Sequence, residues 1–131
     1  MVIDSSAILA ILQDEPERHV FNQAIAAADQ RRFSAVSLLE VSIVVEARFG
    51  SEAQQDLDLF LATAEIVVVP FDLHLAKLAR SAFQRYGKGR HPAALNLGDC
   101  CSYALAQACS APLLFKGNDF GLTDIQVALA L

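Results

Sequence analysis

Met1-Val2-Ile3-Asp4-Ser5-Ser6-Ala7-Ile8-Leu9-Ala10-Ile11-Leu12 opens the chain, and the spacing of its apolar residues changes once. Met1 to Ile3 is a short apolar run ended by Asp4-Ser5-Ser6, after which Ile8, Leu9, Ile11 and Leu12 recur at helical spacing. A buried strand therefore feeds a helix directly. Downstream, Asp14-Glu15-Pro16-Glu17 reads as a second helix start, with Pro near its first position and Val20, Phe21, Ile25 and Ala28 carried inward. Residues 33–36 read as a second strand, and Ser37-Leu38-Leu39-Glu40 has capping-box spacing ahead of a helix that runs to Phe49-Gly50. Helices are expected from Ser51 and Asp72, a β-branched strand at 66–69, a helix capped by Asn96 and running to Cys109, and a last strand at 113–115. Four or five strands interleaved with helices need crossovers, which favour a mostly parallel sheet covered on both faces.

The 131 residues suit one domain over 1–131. Hydrophobic residues make up 54% and charged residues 19%, against about 25% charged in an average globular protein, so disorder is excluded and some apolar surface is expected to await a partner. Ile8, Leu9 and Leu12, and the segment around Leu57 to Leu61, are the candidate partner surface. The net charge of −5 argues against a general polyanion binder, though not against a local basic face. No basic leader precedes Asp4, and no stretch reaches the roughly 20 apolar residues of a membrane span. Cys100, Cys101 and Cys109 have no CxxC spacing and no neighbouring His, which fits small buried thiols in a reducing cytoplasm rather than a zinc site.

The acids carry the chemistry. Asp4 ends the first strand, Glu40 and Asp99 lie in first turns of helices, and Asp119 follows the last strand by four residues. In a parallel sheet these positions share the carboxyl edge, where functional loops gather. Each acid alone also reads as an ordinary helix cap or loop residue; their recurrence at one edge does not. Four crowded carboxylates repel one another, and oxygen-only ligation of this kind suits Mg²⁺ or Mn²⁺. Lys77, Arg80, Arg85, Lys88 and Arg90 fall in an acid-free run from Leu73 to Gly98. With Lys116 they form a candidate phosphate-tracking rim, Lys88, Arg90 and Lys116 being the candidate contacts to a phosphate backbone. His74 reads as a partly buried packing residue and Phe83 as core, with stacking on a base as its second use. GxGxxG, GxxxxGK[ST] and GxSxG are absent, which removes dinucleotide, P-loop and α/β-hydrolase chemistry. An acidic-edge phosphatase or phosphoryl-transfer enzyme remains an alternative.

Met-Val-Ile-Asp4-Ser-Ser6-Ala, Ser37-Leu-Leu-Glu40, Tyr86-Gly-Lys-Gly-Arg-His-Pro92, Leu95-Asn-Leu-Gly-Asp99-Cys and Leu113-Leu-Phe-Lys-Gly-Asn-Asp119-Phe together resemble the PIN-domain ribonucleases, specifically the VapC toxins of bacterial toxin–antitoxin pairs. The resemblance spans essentially the whole chain in order. It implies a PIN-like three-layer α/β/α sandwich, Mg²⁺- or Mn²⁺-dependent cleavage of RNA, inhibition by a cognate VapB antitoxin, and a homodimer. It also implies roles for residues: Asp4 and Asp99 as the main metal-binding acids, Glu40 and Asp119 as the other acidic positions, and Ser6 as a supporting hydroxyl. One position departs from the family pattern, because Asn118 stands where a first acid often precedes Asp119. A non-catalytic PIN-like binding module is the second alternative.

Overall fold

The computed structural model describes residues 1–129. Strand β1 needs only Val2 and Ile3. Successive strand residues point to opposite faces, and here Val2 packs into one layer of core while Ile3 packs into the other, both fully buried. Helix α1 (Ser5–Leu12) follows at once because Asp4, in extended backbone, accepts a hydrogen bond from the Ser6 N–H and caps it. The chain continues through α2 (Arg18–Ala27), β2 (Arg32–Ser34), α3 (Ala35–Phe49), α4 (Ala53–Thr63), β3 (Val67–Val69), α5 (Leu73–Tyr86), α6 (Leu97–Cys109) and β4 (Leu113–Leu114), with a 3₁₀ turn at Phe120–Leu122.

All three strand pairings are parallel and the order is β3-β2-β1-β4, with Val2 opposite both Arg32 and Leu113. From β1 the chain steps outward to β2 and β3, then returns through α5 and α6 to place β4 on the other side of β1. The direction of winding therefore reverses between β1 and β4, and in open α/β sheets such a reversal is where ligands bind at the carboxyl ends of the strands. Helices α1 to α4 cover one face through Ile8, Phe21, Val41 and Leu57, and α5 and α6 cover the other through Leu75, Tyr103 and Leu105. This is the expected three-layer sandwich. Burying a side chain such as Phe21 or Leu57 completely contributes about 1.5–3 kcal/mol.

Several local expectations are corrected. Strand β2 ends at Ser34, because the Ser34 hydroxyl accepts from the Val36 N–H and starts α3 earlier than the Ser37 spacing suggests. Ser37 is thus an interior, fully buried helix residue, and Glu40 lies in the second turn. Helix α2 begins at Arg18 rather than around Pro16, α4 begins at Ala53 rather than Ser51, and β4 stops at Leu114. His74 is exposed. Phe83 is 39% exposed, with the Arg90 guanidinium 5.5 Å above its ring. Of the expected partner surface, Ile8, Leu57 and Leu61 are core residues and Leu9 and Leu12 are half-buried, while Leu59 on α4 is exposed; Leu39, Ile43 and Phe49 on α3 and Leu73 and Leu97 at the starts of α5 and α6 are exposed as well.

The last described segment closes the sheet edge. The Leu113 N–H donates to the Gln126 carbonyl at 2.9 Å and the Ala128 N–H to the Leu113 carbonyl at 3.0 Å, which covers the open side of β4. Asp124 anchors this segment from the side, accepting from the Tyr103 hydroxyl at 2.5 Å and from Arg85 at 3.2 Å. Cys100 and Cys101 are buried, and burial pushes both thiols up to about 11, so they stay protonated and serve as packing. Among the described residues, no helix is long and apolar enough to cross a membrane.

Candidate active site

The four acids come from the end of β1, the second turn of α3, the first turn of α6 and the loop after β4. Asp4 projects from the end of β1 and is 2% exposed. Its two oxygens are held separately: Oδ2 accepts from the Ser6 N–H at 3.0 Å, and Oδ1 accepts from the Ser102 hydroxyl at 2.5 Å. Ser102 is itself fully buried and lies 3.3 Å from the buried Ser37 hydroxyl, so a polar thread runs from α3 through α6 to β1. Each carboxylate oxygen keeps a further lone pair for another ligand.

At the start of α6, Asn96 and Asp99 form the chain's reciprocal capping box. The Asp99 N–H donates to Asn96 Oδ1 at 2.9 Å, and the Asn96 N–H donates to Asp99 Oδ2 at 3.1 Å. Asp99 Oδ1 remains free of the box. Glu40 meets the same helix start from α3. A Cβ at Gly98 would lie 2.7 Å from Glu40 Oε2, so only glycine lets this carboxylate rest on the α6 N-terminus, where the helix dipole favours negative charge. Glu40 Oε1 is buried without a hydrogen-bond partner.

Electrostatics tie the four acids together. Burial pushes Asp99 up to about 6; the Asn96 hydrogen bond opposes the shift, and the charges of Asp4, Asp119 and Glu40 add to it. The acids expected from sequence therefore share one field although they lie on four separate segments. A carboxyl raised by burial and further by its acidic neighbours, beside an orphaned buried carboxylate oxygen, is the arrangement a divalent cation relieves. Among the described residues no three His, Cys, Asp or Glu side chains close into an ion cage.

Residues 1–125 match the PIN domain. The chain belongs to the PIN-domain family. Ribonuclease VapC of Mycolicibacterium smegmatis is 51% identical to it over 125 residues, covering 95% of this chain and 97% of the relative. Among solved structures, Mycobacterium tuberculosis VapC20, described as a sarcin–ricin loop cleaving toxin, superposes with a TM-score of 0.78 at 15% identity, covering 98% of this chain and 97% of that one. A toxin–antitoxin complex from Klebsiella pneumoniae contains a chain that superposes with a TM-score of 0.72 at 18% identity, over 99% and 98% of the two chains. The two structural matches carry the fold; the sequence match places the chain beside VapC ribonucleases. Members of this family are in general divalent-metal enzymes, and this PIN domain has the carboxylates for it.

The remaining expected residues are distributed as follows. Ser6 does not touch a carboxylate through its hydroxyl; its backbone N–H holds Asp4, while its Oγ accepts from the Lys116 N–H at 3.0 Å. Lys88 and Arg90 are exposed in the turn after α5. The Lys116 ammonium is ion-paired with Glu15 and Glu17. Sequence reading missed Ser102 and Ser37. The available signal was a hydroxyl at a fully buried position inside each of two apolar helices, where an unpartnered polar group is costly.

Proposed function

We propose that this protein is the toxin of a toxin–antitoxin pair and cleaves RNA phosphodiester bonds with the help of Mg²⁺. The observation that carries the reading is the group of acids at the β1–β4 reversal, where burial, together with the charges of Asp4, Asp119 and Glu40, raises the pKa of Asp99 to about 6. The 51% identity to a VapC ribonuclease supports RNA as the substrate. Mg²⁺ is the preferred ion because every donor offered is oxygen, and Mn²⁺ is its natural substitute.

Asp4 and Asp99 are the residues that would hold the ion. When bound, it supplies charge neutralisation at the scissile phosphate and a water of lowered pKa. Glu40 and Asp119 flank that position and accept the proton of the attacking water, while Ser102 and the Ser6 N–H keep Asp4 from turning away. Lys88 and Arg90 extend along the approach as phosphate contacts that add affinity without sequence preference. The test is cleavage of a defined RNA with Mg²⁺ and with EDTA. Wild-type protein should cut only with the cation, and Asp4→Asn and Asp99→Asn should be folded and inactive. Activity retained in either variant overturns the assignment.

The partner reading has two parts. A VapB-type antitoxin is supported by the structural match to a chain from a toxin–antitoxin complex, and a homodimer by the exposed apolar side chains of α3, Leu39 and Ile43. Co-expression with the neighbouring small gene product, followed by measurement of the mass in solution, tests both. A monomeric protein that is non-toxic by itself overturns them.

A further inference from the structure

The loop that presents Asp119 has little holding it from within. Residues 116–119 are exposed, and Gly117 adopts φ +107, a conformation that suits glycine. Its far end is held by Phe120, which is buried against Phe115 with ring centroids 5.1 Å apart, and by the Leu122 N–H on the Asp119 carbonyl at 3.2 Å; its near end has two attachments, and both use Lys116. Its N–H donates to Ser6 Oγ at 3.0 Å, and the N–H of that same serine holds Asp4 Oδ2. Its ammonium reaches across to the α1–α2 connection, where it pairs with Glu15 and stands 3.3 Å from Glu17 Oε2. Glu17 Oε2 is buried and accepts no aligned hydrogen bond, so the ammonium is the cation that compensates its charge. Glu15 and Glu17 are partly buried as well. A lysine already engaged by two carboxylates is poorly placed to follow a phosphate backbone.

We propose that Lys116 is a positioning residue: clamped by Glu15 and Glu17, it fixes the loop after β4 so that Asp119 faces Asp99, and it is not a phosphate contact. This rests on the assignment of Asp119 to the RNA-cleaving site. Lys116 was a candidate RNA contact by its charge alone, and its partners give it a different task. A surface ion pair of this kind adds little to global stability, so its effect is confined to the geometry of the loop.

The test uses the full chain as wild type, Lys116→Met, Lys116→Arg and the double variant Glu15→Gln/Glu17→Gln. Cleavage of one defined RNA gives kcat and KM, and binding of the same RNA to catalytically dead Asp4→Asn versions gives the salt dependence. Lys116→Met and the double acid variant should each lower kcat by about tenfold or more, as a small misplacement of a reacting group does. KM should stay within about twofold, the salt slope of binding should be unchanged, and Lys116→Arg should recover most of kcat. Hydrogen exchange of the unliganded protein should quicken at residues 116–119 in both impaired variants, a readout that needs no turnover. A phosphate contact would behave oppositely: Lys116→Met would raise KM and reduce the salt slope by about one, and the double acid variant, freeing the lysine, would bind RNA more tightly. That pattern, or exchange and kcat unchanged in every variant, overturns the proposal. Wild-type protein that cuts no RNA would instead overturn the functional assignment, with the exchange result still deciding the clamp.

Discussion

The Ser102 hydroxyl donates to Asp4 Oδ1 at 2.5 Å across 98 positions of sequence, joining the second turn of α6 to the end of β1. Both groups are buried, at 0% and 2% exposure. A single buried hydroxyl therefore decides where the central carboxylate of the site points. Substituting Ser102 by Ala removes that donor and leaves the fold's apolar contacts in place. The expected result is about a 10–100-fold loss of Mg²⁺ affinity, the usual effect of removing a partner of a metal-ligating group. Titration of the ion by calorimetry measures it, and unchanged affinity would show that Asp4 is oriented without the serine.

Asp99 gives the site a pH signature. Its pKa of about 6 in the folded chain lies above the ordinary 3.8. The stability contributed by the protonated form is thus fully present below about pH 3.8 and lost as pH rises through about 6. Cation-free wild-type protein should lose thermal stability across that window relative to Asp99→Asn. Added Mg²⁺ should restore stability above pH 6 and do little below pH 4, because protons then compete for the same oxygens. Thermal melts of both proteins over pH 4–8, with and without the ion, check this.

Gly98 separates fold from activity. Alanine there places a methyl 2.7 Å from Glu40 Oε2, and the flexible Glu40 side chain is what gives way. Gly98→Ala should keep its circular dichroism spectrum and melt within about 1 kcal/mol of wild type, since alanine is the better helix former. RNA cleavage should nevertheless fall, and activity at the wild-type level would remove Glu40 from the chemistry.

Asp124 ties the C-terminal segment to the α5–α6 layer. The Tyr103 hydrogen bond, followed by the one from Arg85, holds its pKa below the ordinary value. Its stabilising effect is therefore present above the usual carboxylate range and disappears as pH falls through the lowered value. Tyr103→Phe should cost about 0.5–1.5 kcal/mol at neutral pH and less once the pH has fallen through the lowered Asp124 value, as read by urea unfolding from pH 7 downward until the wild-type protein's own acid transition. A cost that stays the same over that whole range would show that Asp124 is not the hydroxyl's partner.

Much of the fold was legible because its signals are local. The change of period at Asp4, the cap at Asn96 and the β-branched run at 66–69 each report on neighbouring residues, and each corresponds to an observed element, the last of them as β3 over Val67–Val69. Where local signals compete, reading them in isolation fails. Ser34 and Ser37 both suit a cap, and Ser34 takes the position because β2 ends there, which turns Ser37 inward and moves Glu40 to the second turn. The partner surface is only partly legible for a related reason. Periodicity identifies an apolar stripe but not whether a neighbouring helix already covers it, and Ile8 and Leu57 prove to be covered.

From the sequence by itself follow the parallel α/β architecture, the four acids at one sheet edge and the exclusion of rival motifs, since strand ends and helix starts are encoded by adjacent residues. Only the tertiary structure decided what those acids touch. Ser102 on Asp4, Glu40 on Gly98 and Lys116 on Glu15 depend on how far apart and at what rotation packed elements sit. That relation is set by the interdigitation of both core layers with the sheet, and no stretch of chain carries it alone.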